Sequence, residues 1–226
     1  MTSKNEHRKL PFVTVKYAQS LDGRIATSTG DSQWISGPAA LRLSHKLRAE
    51  HDAIIVGIGT VLADDPELTV RLVKGPDPLR VVVDTELRTP LEARVLAGAS
   101  AAGTLIATAE NADKRRLTQL QNLGAEVLRL PAASNGSRVD LGCLLVELRR
   151  RGITSVLVEG GRGIITSMLT ARAVDRLIVI IAPKVIGQGT EAIGNLGITR
   201  LKEAITFSSV KTRRLGDDLI FDGLVK

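Results

Sequence analysis

Cysteine is almost absent from this chain of 226 residues, and so are aromatic side chains. The single cysteine, Cys143, excludes an internal disulfide framework and a zinc site built from several cysteines. Aromatic residues make up 2% of the chain and are not interleaved with basic residues. Proteins that bind single-stranded nucleic acid usually combine the two residue types. No apolar run approaches the length of a membrane span. We therefore expect no nucleic-acid partner, no membrane segment and a cytoplasmic location.

Length and charge narrow the class of protein further. A hydrophobic share of 43% in 226 residues suits one globular domain, which we place at residues 11–226 after a flexible polar tail at residues 1–10. The net charge of +7 permits binding to polyanions but does not require it. The arginines at 149–151 fall at a predicted helix end, where cations complement the helix dipole. We expect attraction for phosphorylated small molecules, and a non-catalytic nucleotide- or RNA-binding module is the alternative from another class.

Short apolar segments alternate with amphipathic segments along the chain, without repeats. The last two predicted strands follow each other across a turn at residues 215–217, so they must pair antiparallel. The pattern predicts an α/β fold with a mixed, mostly parallel sheet of about eight strands flanked by helices. The predicted strands are 12–18, 53–56, 79–83, 104–107, 126–129, 156–158, 174–181, 205–211 and 218–224, and the predicted helices include 39–50, 113–123 and one capped by Asp140.

The most informative segment is residues 156–163, where an apolar strand ends in Glu159 and three glycines follow within four positions. Apolar residues then recur at helical spacing, so the unit reads as strand, glycine turn and helix. Glycines allow close approach of the backbone to a ligand, and a helix N-terminus attracts phosphate. It is not the dinucleotide fingerprint, because Thr166 stands where the third glycine belongs. Packing alone is the alternative explanation for these glycines.

Polar clusters also follow other predicted strands, at the end of the sheet where ligands bind in open α/β folds. One cluster leaves the first strand at residues 16–23, and another holds the only tryptophan, Trp34, in a polar loop. Residues 59–66 place a hydroxyl and two carboxylates in a short turn. Thr60 could instead cap a helix with Asp64 in its first turn, and Trp34 could belong to the core.

In combination, six segments resemble the riboflavin-biosynthesis reductase family, which includes the reductase domain of bacterial bifunctional deaminase-reductases and stand-alone reductases. They occur in the family's order and cover the chain from about residue 11 to its end. The segments are Ser-Leu-Asp-Gly (20–23), Gly-Asp-Ser-Gln-Trp-Ile (30–35), Gly-Thr-Val-Leu-Ala-Asp-Asp-Pro (59–66), Val-Val-Val-Asp (81–84), Val-Glu-Gly-Gly (158–161) and Ile-Ala-Pro-Lys (181–184).

This resemblance implies a dihydrofolate-reductase-like fold, a homodimer and NADPH as the cofactor. The implied reaction reduces the ribosylamino group of a pyrimidine ribosylamine 5′-phosphate to a ribitylamino group in riboflavin biosynthesis. The hydride would reach C1′ of the opened, imine-like sugar. The preferred substrate is 2,5-diamino-6-(5-phosphoribosylamino)pyrimidin-4(3H)-one, and 5-amino-6-(5-phosphoribosylamino)uracil is the alternative. A folate reductase, or an enzyme acting on another ribosylamine, also remains open.

Site residues are carried over from the resemblance position by position. The implied substrate contacts are Ser32, Arg48, Leu68, Arg71 and Glu159. The implied NADPH contacts are Trp34, Thr60, Asp64, Thr85, Gly161, Arg162, Gly163, Ile164, Ile165, Thr166 and Ser167. Lys16 is the first candidate for the proton donor and Asp22 the second, while Arg88 and Arg162 are candidates for the 2′-phosphate. Arg48 and Arg71 would bind the 5′-phosphate through their forked guanidinium groups. Arg48 could alternatively be a helix-surface charge, and Leu68 simply a core residue.

A zinc deaminase site is excluded within this sequence. Such sites need a His-x-Glu segment and a Pro-Cys-x-x-Cys segment to hold the metal. The three histidines, His7, His45 and His51, fall outside that pattern, and there is one cysteine. We therefore expect a reductase without a metal, with His45 and His51 as ordinary helix residues.

Overall fold

The computed structural model of the chain describes residues 9–133 and 138–226, so most of the predicted tail lies outside the described residues. The described strands are β1 (Phe12–Ser20), β2 (Arg24–Thr27), β3 (Ala53–Gly57), β4 (Leu79–Val83), β5 (Thr104–Ala109), β6 (Glu126–Leu130), β7 (Ser155–Val158), β8 (Arg176–Ala182), β9 (Gly189–Glu191), β10 (Phe207–Leu215) and β11 (Asp218–Val225). The described helices are α1 (Pro38–Ala49), α2 (Ile58–Asp64), α3 (Lys114–Asn122), α4 (Leu141–Arg150) and α5 (Arg162–Thr170). None of these helices is long and apolar enough to cross a bilayer.

Within the described residues, nine strands form one sheet in the order β10-β11-β8-β1-β7-β3-β4-β5-β6. The strands from β8 to β6 run parallel to one another, whereas β11 pairs antiparallel with β8 and with β10. This confirms the predicted mixed, mostly parallel sheet with antiparallel strands at the C-terminus. Strands β2 and β9 form a separate two-stranded ribbon that the sequence pattern did not reveal.

Both faces of the parallel sheet are covered, which is why its strands read as unbroken apolar runs. Strand β3 shows the alternation: Ala53 and Ile55 join the core under α4 and α5, whereas Ile54 and Val56 join the core under α1, α2 and α3. All four side chains are inaccessible to solvent. The helices therefore form two layers around a central sheet.

Local capping agrees with the sequence at α4 and differs from it at α2. The Asp140 carboxylate accepts a hydrogen bond from the Cys143 backbone N–H at 2.9 Å, as expected for an N-cap. The short turn predicted at residues 59–66 is wrong, because helix α2 occupies most of it, with Gly57 as its N-cap. Thr60 consequently lies inside the helix and caps nothing.

The sheet's parallel part sets the position of the polar clusters. Val15 of β1 and Ile55 of β3 both pair with Val158 of β7, and Gly57 pairs with Val83 of β4. The carboxyl ends of these four strands therefore lie side by side, and the residues that follow them meet at one edge.

Candidate active site

A cleft of about 1410 Å³ lies at this edge of the sheet. Its walls come from the ends of β1, β3, β4 and β7, from one face of α1, and from the first turns of α2 and α5. Pockets for one small ligand usually measure roughly 300–1,000 Å³. The cleft is therefore large enough for two molecules side by side.

Nearly every residue that the sequence proposed for the site lines this cleft. The exceptions are Asp22 and Thr166. The predicted residues that line it are Lys16, Ser32, Trp34, Arg48, Thr60, Asp64, Leu68, Arg71, Thr85, Arg88, Glu159, Gly161, Arg162, Gly163, Ile164, Ile165 and Ser167. The structure thus brings the proposed substrate and cofactor residues together in one continuous space.

An ion pair between Arg48 of α1 and Glu159 after β7 forms the floor of the cleft. Arg48 Nε donates to Glu159 Oε1 at 3.1 Å, and Nη2 donates to Oε2 at 2.7 Å. The remaining nitrogen, Nη1, donates to the carbonyl oxygen of Thr69 at 3.2 Å. The two side chains are only 10% and 9% exposed, which rules out a helix-surface charge. All three nitrogens of Arg48 are engaged, so Arg48 holds Glu159 in place. Its predicted contact with a phosphate stays a prediction and would use the second N–H of Nη1 or of Nη2.

The electrostatics keep Glu159 ionised. Burial raises the pKa of its carboxyl group, but the Arg48 and Lys16 cations outweigh burial and hold that pKa below its usual range. A buried carboxylate with hydrogen-bond capacity left over is a strong acceptor for N–H groups of a ligand. Glu159 is therefore suited to accept hydrogen bonds from the amino groups of a substituted ring.

Lys16 extends from β1 beside this pair. Its ammonium Nζ donates to Ser44 Oγ of α1 at 2.5 Å. Burial lowers the pKa of Lys16, with Glu159 opposing the shift and Arg48 adding to it. A lysine whose pKa has moved towards neutrality gives up its proton more readily than a surface lysine. Lys16 thus has both the position and the electrostatics of a proton donor.

Asp22 lies outside the cleft lining and is engaged elsewhere. Its carboxylate accepts hydrogen bonds from Ser20 Oγ at 2.7 Å and from the backbone N–H groups of Ile186 and Gly187 at 3.0 and 2.6 Å. These bonds, led by that of Ser20, hold the pKa of Asp22 far below its usual range. An anion so fixed has no proton to give at neutral pH. This geometry favours a role for Asp22 in holding the turn after β8 to the end of β1.

The glycine turn brings α5 very close to the end of β3. The Gly57 N–H donates to the Gly160 carbonyl oxygen at 3.0 Å, and a Cβ at Gly57 would lie 2.9 Å from Cγ1 of Ile164. A Cβ at Gly161 would lie 3.3 Å from Thr60 Oγ1. Gly161 is the N-cap of α5 and makes no side-chain capping bond. The first N–H groups of α5 are therefore available to an anion in the cleft.

Thr166 is turned away from this space. Its hydroxyl donates to the Arg162 carbonyl oxygen at 2.7 Å and accepts from the Gly194 N–H at 2.8 Å. Thr166 therefore fixes α5 to the segment after β9. A direct contact with a cofactor, as the resemblance implied, is not supported by this geometry.

Trp34 presents an open aromatic surface at the mouth of the cleft. Its side chain is 71% exposed and its φ is +62°, so it is not a core residue. Its carbonyl oxygen accepts from Lys184 Nζ at 2.5 Å. Leu68 also lines the cleft, is buried in the core under α1, α2 and α3, and has a φ of +58°. Ser32 Oγ donates to Asp64 Oδ1 at 2.8 Å, which ties the loop of Trp34 to α2.

Sequence reasoning missed several polar residues of the cleft. His45 of α1 accepts a hydrogen bond at Nδ1 from the backbone N–H of Arg71 at 3.0 Å. The Glu67 carboxylate pairs with both Arg71 and Arg94. One signal was present in the sequence: positions 41, 44, 45 and 48 share a helix face, and all four line the cleft. No group of three acidic, histidine or cysteine side chains suited to a metal occurs in the described residues.

A family model described as the RibD C-terminal domain matches residues 11–221. The chain is 44% identical to the 2,5-diamino-6-ribosylamino-4(3H)-pyrimidinone 5′-phosphate reductase of Methanothermobacter thermautotrophicus, over 96% of this chain and 99% of that protein. It is 39% identical to the riboflavin biosynthesis protein RibD of Aquifex aeolicus, over 93% of this chain. The chain spans 56% and 57% of the first two curated relatives that it matches, both of them RibD proteins.

Solved structures agree with the sequence relatives. RibD of Acinetobacter baumannii superposes with a TM-score of 0.81 at 29% identity, covering 96% of this chain and 59% of that chain. The riboflavin biosynthesis reductase Rib7 of Saccharomyces cerevisiae superposes with a TM-score of 0.75 at 25% identity, covering 98% and 92%. A dihydrofolate reductase from Enterococcus faecalis matches at 12% identity with a TM-score of 0.50 and covers 94% and 96%, which speaks for the fold alone.

The buried pair of Arg48 and Glu159 leads to a stability prediction. Glu159→Leu leaves Arg48 and Lys16 without their counter-charge, and breaking such a pair costs about 3–5 kcal/mol. The double variant Arg48→Met/Glu159→Leu should recover part of this loss, because it removes one of the two uncompensated cations and leaves Lys16. Chemical denaturation would measure both changes in the free energy of unfolding.

The exposed pair of Arg88 and Glu86, 3.6 Å apart, supplies the matched control. Glu86→Leu should change the free energy of unfolding by less than about 1 kcal/mol. A double variant no more stable than Glu159→Leu alone would contradict the energetic coupling of Arg48 and Glu159.

Proposed function

We propose, on the premise that the chain belongs to the RibD C-terminal domain family, that it is an NADPH-dependent reductase of a pyrimidine ribosylamine 5′-phosphate in riboflavin biosynthesis. The observation that carries the proposal is the cleft, where the Lys16, Arg48 and Glu159 cluster and the glycine turn of α5 face one space. The relative that matches along 99% of its length is named for the reduction of the diamino pyrimidinone. This supports 2,5-diamino-6-(5-phosphoribosylamino)pyrimidin-4(3H)-one as the substrate.

The residues around the glycine turn fit a dinucleotide. The first turn of α5 offers N–H groups to a diphosphate. The Thr60 hydroxyl lies close to this turn, because a side chain at Gly161 would bring its Cβ to 3.3 Å from Thr60 Oγ1. Trp34 offers an exposed aromatic face. NADPH, when bound, supplies the hydride. Arg88 and Arg162 line the same cleft, and both are about half exposed, at 56% and 48%. Among the described residues, their ion pairs to acidic neighbours are long, at 3.6 and 3.5 Å. Either guanidinium is free enough to turn towards a 2′-phosphate.

The cluster at the cleft floor fits the substrate. Glu159 accepts from the amino groups of the pyrimidine, and Arg48 holds the carboxylate in place. Arg71, which also lines the cleft, is the second arginine predicted to bind the 5′-phosphate. Leu68 is a buried residue of the same lining. With both ligands so placed, the main contribution of the protein is alignment of donor and acceptor.

Lys16 is the proposed acid. Reduction of the open-chain imine forms a C–H bond at C1′ and leaves the electron pair of the broken C=N π bond on nitrogen, which takes a proton to become a secondary amine. Lys16 Nζ supplies that proton, and Ser44 and Glu159 keep the ammonium aimed at the cleft. The homodimer implied by the resemblance and the cytoplasmic location expected from the sequence stay predictions.

The substrate assignment is tested by NADPH consumption with three substrates: the diamino ribosylamine phosphate, its deaminated uracil form and dihydrofolate. We expect the highest kcat/KM with the diamino compound, because Glu159 accepts from amino groups. A higher value with the uracil form would reverse the order of reduction and deamination. Consumption with dihydrofolate alone would overturn the proposed reaction, and consumption with none would favour the binding-module alternative.

The role of Lys16 is tested by Lys16→Met. Loss of a general acid typically lowers kcat by about 10²–10⁴, and NADPH affinity should stay unchanged. Because the protonated amine is the active form, wild-type kcat should fall as pH rises through the lowered pKa of Lys16. That limb of the pH profile should be missing from the variant.

Asp22→Asn is the matched control for Lys16→Met, since Asp22 was the second candidate for the acid. It should keep the wild-type pH profile of kcat. Retention of more than a tenth of kcat by Lys16→Met would argue against proton donation by this residue.

The choice between NADPH and NADH is tested by Arg88→Ala and Arg162→Ala. At least one should weaken NADPH binding by about tenfold and leave NADH binding unchanged, as loss of a charge-assisted hydrogen bond predicts. Fluorescence titration would measure both affinities. Arg150→Ala, at an exposed arginine of α4 outside the cleft lining, serves as the control. Equal losses for the two cofactors would exclude both arginines as 2′-phosphate ligands.

A further inference from the structure

His45 sits in the cleft wall with one ring nitrogen in use. It lies on α1 one turn before Arg48, is only 1% exposed, and lines the cleft. Nδ1 accepts from the Arg71 backbone N–H at 3.0 Å. Within the described part of the chain, Nε2 has no hydrogen-bond partner. It is also not fully buried, so it keeps some access to the cleft. A nearly buried ring that retains one accessible, unpaired nitrogen is placed to meet a ligand.

The contact with Arg71 fixes which nitrogen carries the proton. A backbone N–H can only donate, so Nδ1 must be the unprotonated acceptor and Nε2 the N–H donor. Burial, followed by the charges of Arg48 and Arg71, lowers the pKa of His45. The ring is therefore neutral near pH 7, and it offers the cleft a permanent donor without a charge.

The groups that face His45 favour an anionic acceptor. Lys16 comes from β1 and Arg48 from the same helix, while Arg71 comes from the segment after α2. Glu159 is the carboxylate among them, and Arg48 already engages both of its oxygens. Glu67 partly balances Arg71 at the rim. The balance of charge beside His45 is thus positive, which suits a phosphate better than a neutral hydroxyl.

We propose that His45 is a substrate-binding residue, whose Nε2–H donates to an oxygen of the substrate's 5′-phosphate beside Arg71. The inference rests on the proposed function for the identity of the phosphorylated substrate. His45 adds a directional hydrogen bond to the charge that Arg71 supplies. The link through the Arg71 backbone also places the two phosphate-binding groups on one rigid unit.

Two substitutions separate the donor role of His45 from its contact with Arg71. In His45→Asn, the amide oxygen can replace Nδ1 and keep the Arg71 N–H satisfied, but no group replaces the Nε2–H. In His45→Gln, the amide nitrogen can replace the Nε2–H donor, but no group replaces Nδ1. Calorimetric titration of the intact protein with ribose 5-phosphate, and with ribose as the control, would measure both effects.

We expect His45→Asn to weaken ribose 5-phosphate binding by about tenfold or more, as the loss of a hydrogen bond to a charged acceptor predicts. His45→Gln should stay within about threefold of the wild type, and ribose binding should not change in either variant. If His45→Asn does not fold, His45→Gln decides by itself: retained affinity supports the donor role, and lost affinity overturns it.

Other outcomes overturn the inference directly. A larger loss in His45→Gln than in His45→Asn would mean that His45 acts only by positioning Arg71. Equal binding of ribose and ribose 5-phosphate by the wild type, or no binding of either, would exclude the phosphate assignment. Failure of the proposed function looks different, because NADPH would not be consumed with any pyrimidine ribosylamine phosphate while the ribose 5-phosphate pattern persisted.

Discussion

The guanidinium of Arg48 is the constraint on which the site depends. One planar group joins three segments that are distant in sequence: helix α1, the residue after β7, and the carbonyl of Thr69 beyond α2. A lysine offers no such fixed fork, so the geometry requires arginine. Because the pair of Arg48 and Glu159 is nearly buried, separating the two charges would be costly, and this keeps the two side chains in one arrangement. Burial lowers the pKa of Lys16 and of His45, and the charges of Arg48 and Glu159 act on both in addition.

The two halves of the cleft are built by different means. Charged side chains buried at the ends of β1 and β7 and on α1 form the half proposed for the substrate. Backbone forms the half proposed for the cofactor, since Gly57, Gly160 and Gly161 let α5 approach β3 more closely than side chains allow. A site made of backbone N–H groups suits a diphosphate, and a site made of charged side chains suits a ring with amino groups and a phosphate.

Sequence patterns revealed the parts of the fold that are large and buried. The central strands are apolar on both faces, and α3, α4 and α5 carry clear apolar faces, so their positions were predictable. Strands β2 and β9 have four and three residues and no regular alternation of polar and apolar residues, so the sequence did not predict them. Helix α2 was considered only as an alternative with Thr60 as its cap, because its actual N-cap, Gly57, has no capping side chain.

Site residues that belong to family motifs could be predicted from the sequence. Single polar residues outside those motifs could not. Family resemblance located Lys16, Arg48 and Glu159, but it did not reveal that Arg48 holds the Glu159 carboxylate through two hydrogen bonds. His45 and Ser44 look like ordinary surface positions of an amphipathic helix, because the partner segments that bury them come from elsewhere in the chain. Such long-range contacts are set by tertiary packing, which local patterns do not encode.

The left-handed backbone of Leu68 has a further consequence. A branched side chain at φ +58° costs of the order of 1–2 kcal/mol, and glycine would avoid that cost. Glycine, however, would lose the apolar burial of Leu68 and would give the backbone of this part of the cleft lining more conformational freedom. The strained backbone at Leu68 thus destabilises the folded chain slightly, and it keeps this part of the cleft surface preorganised before a ligand binds.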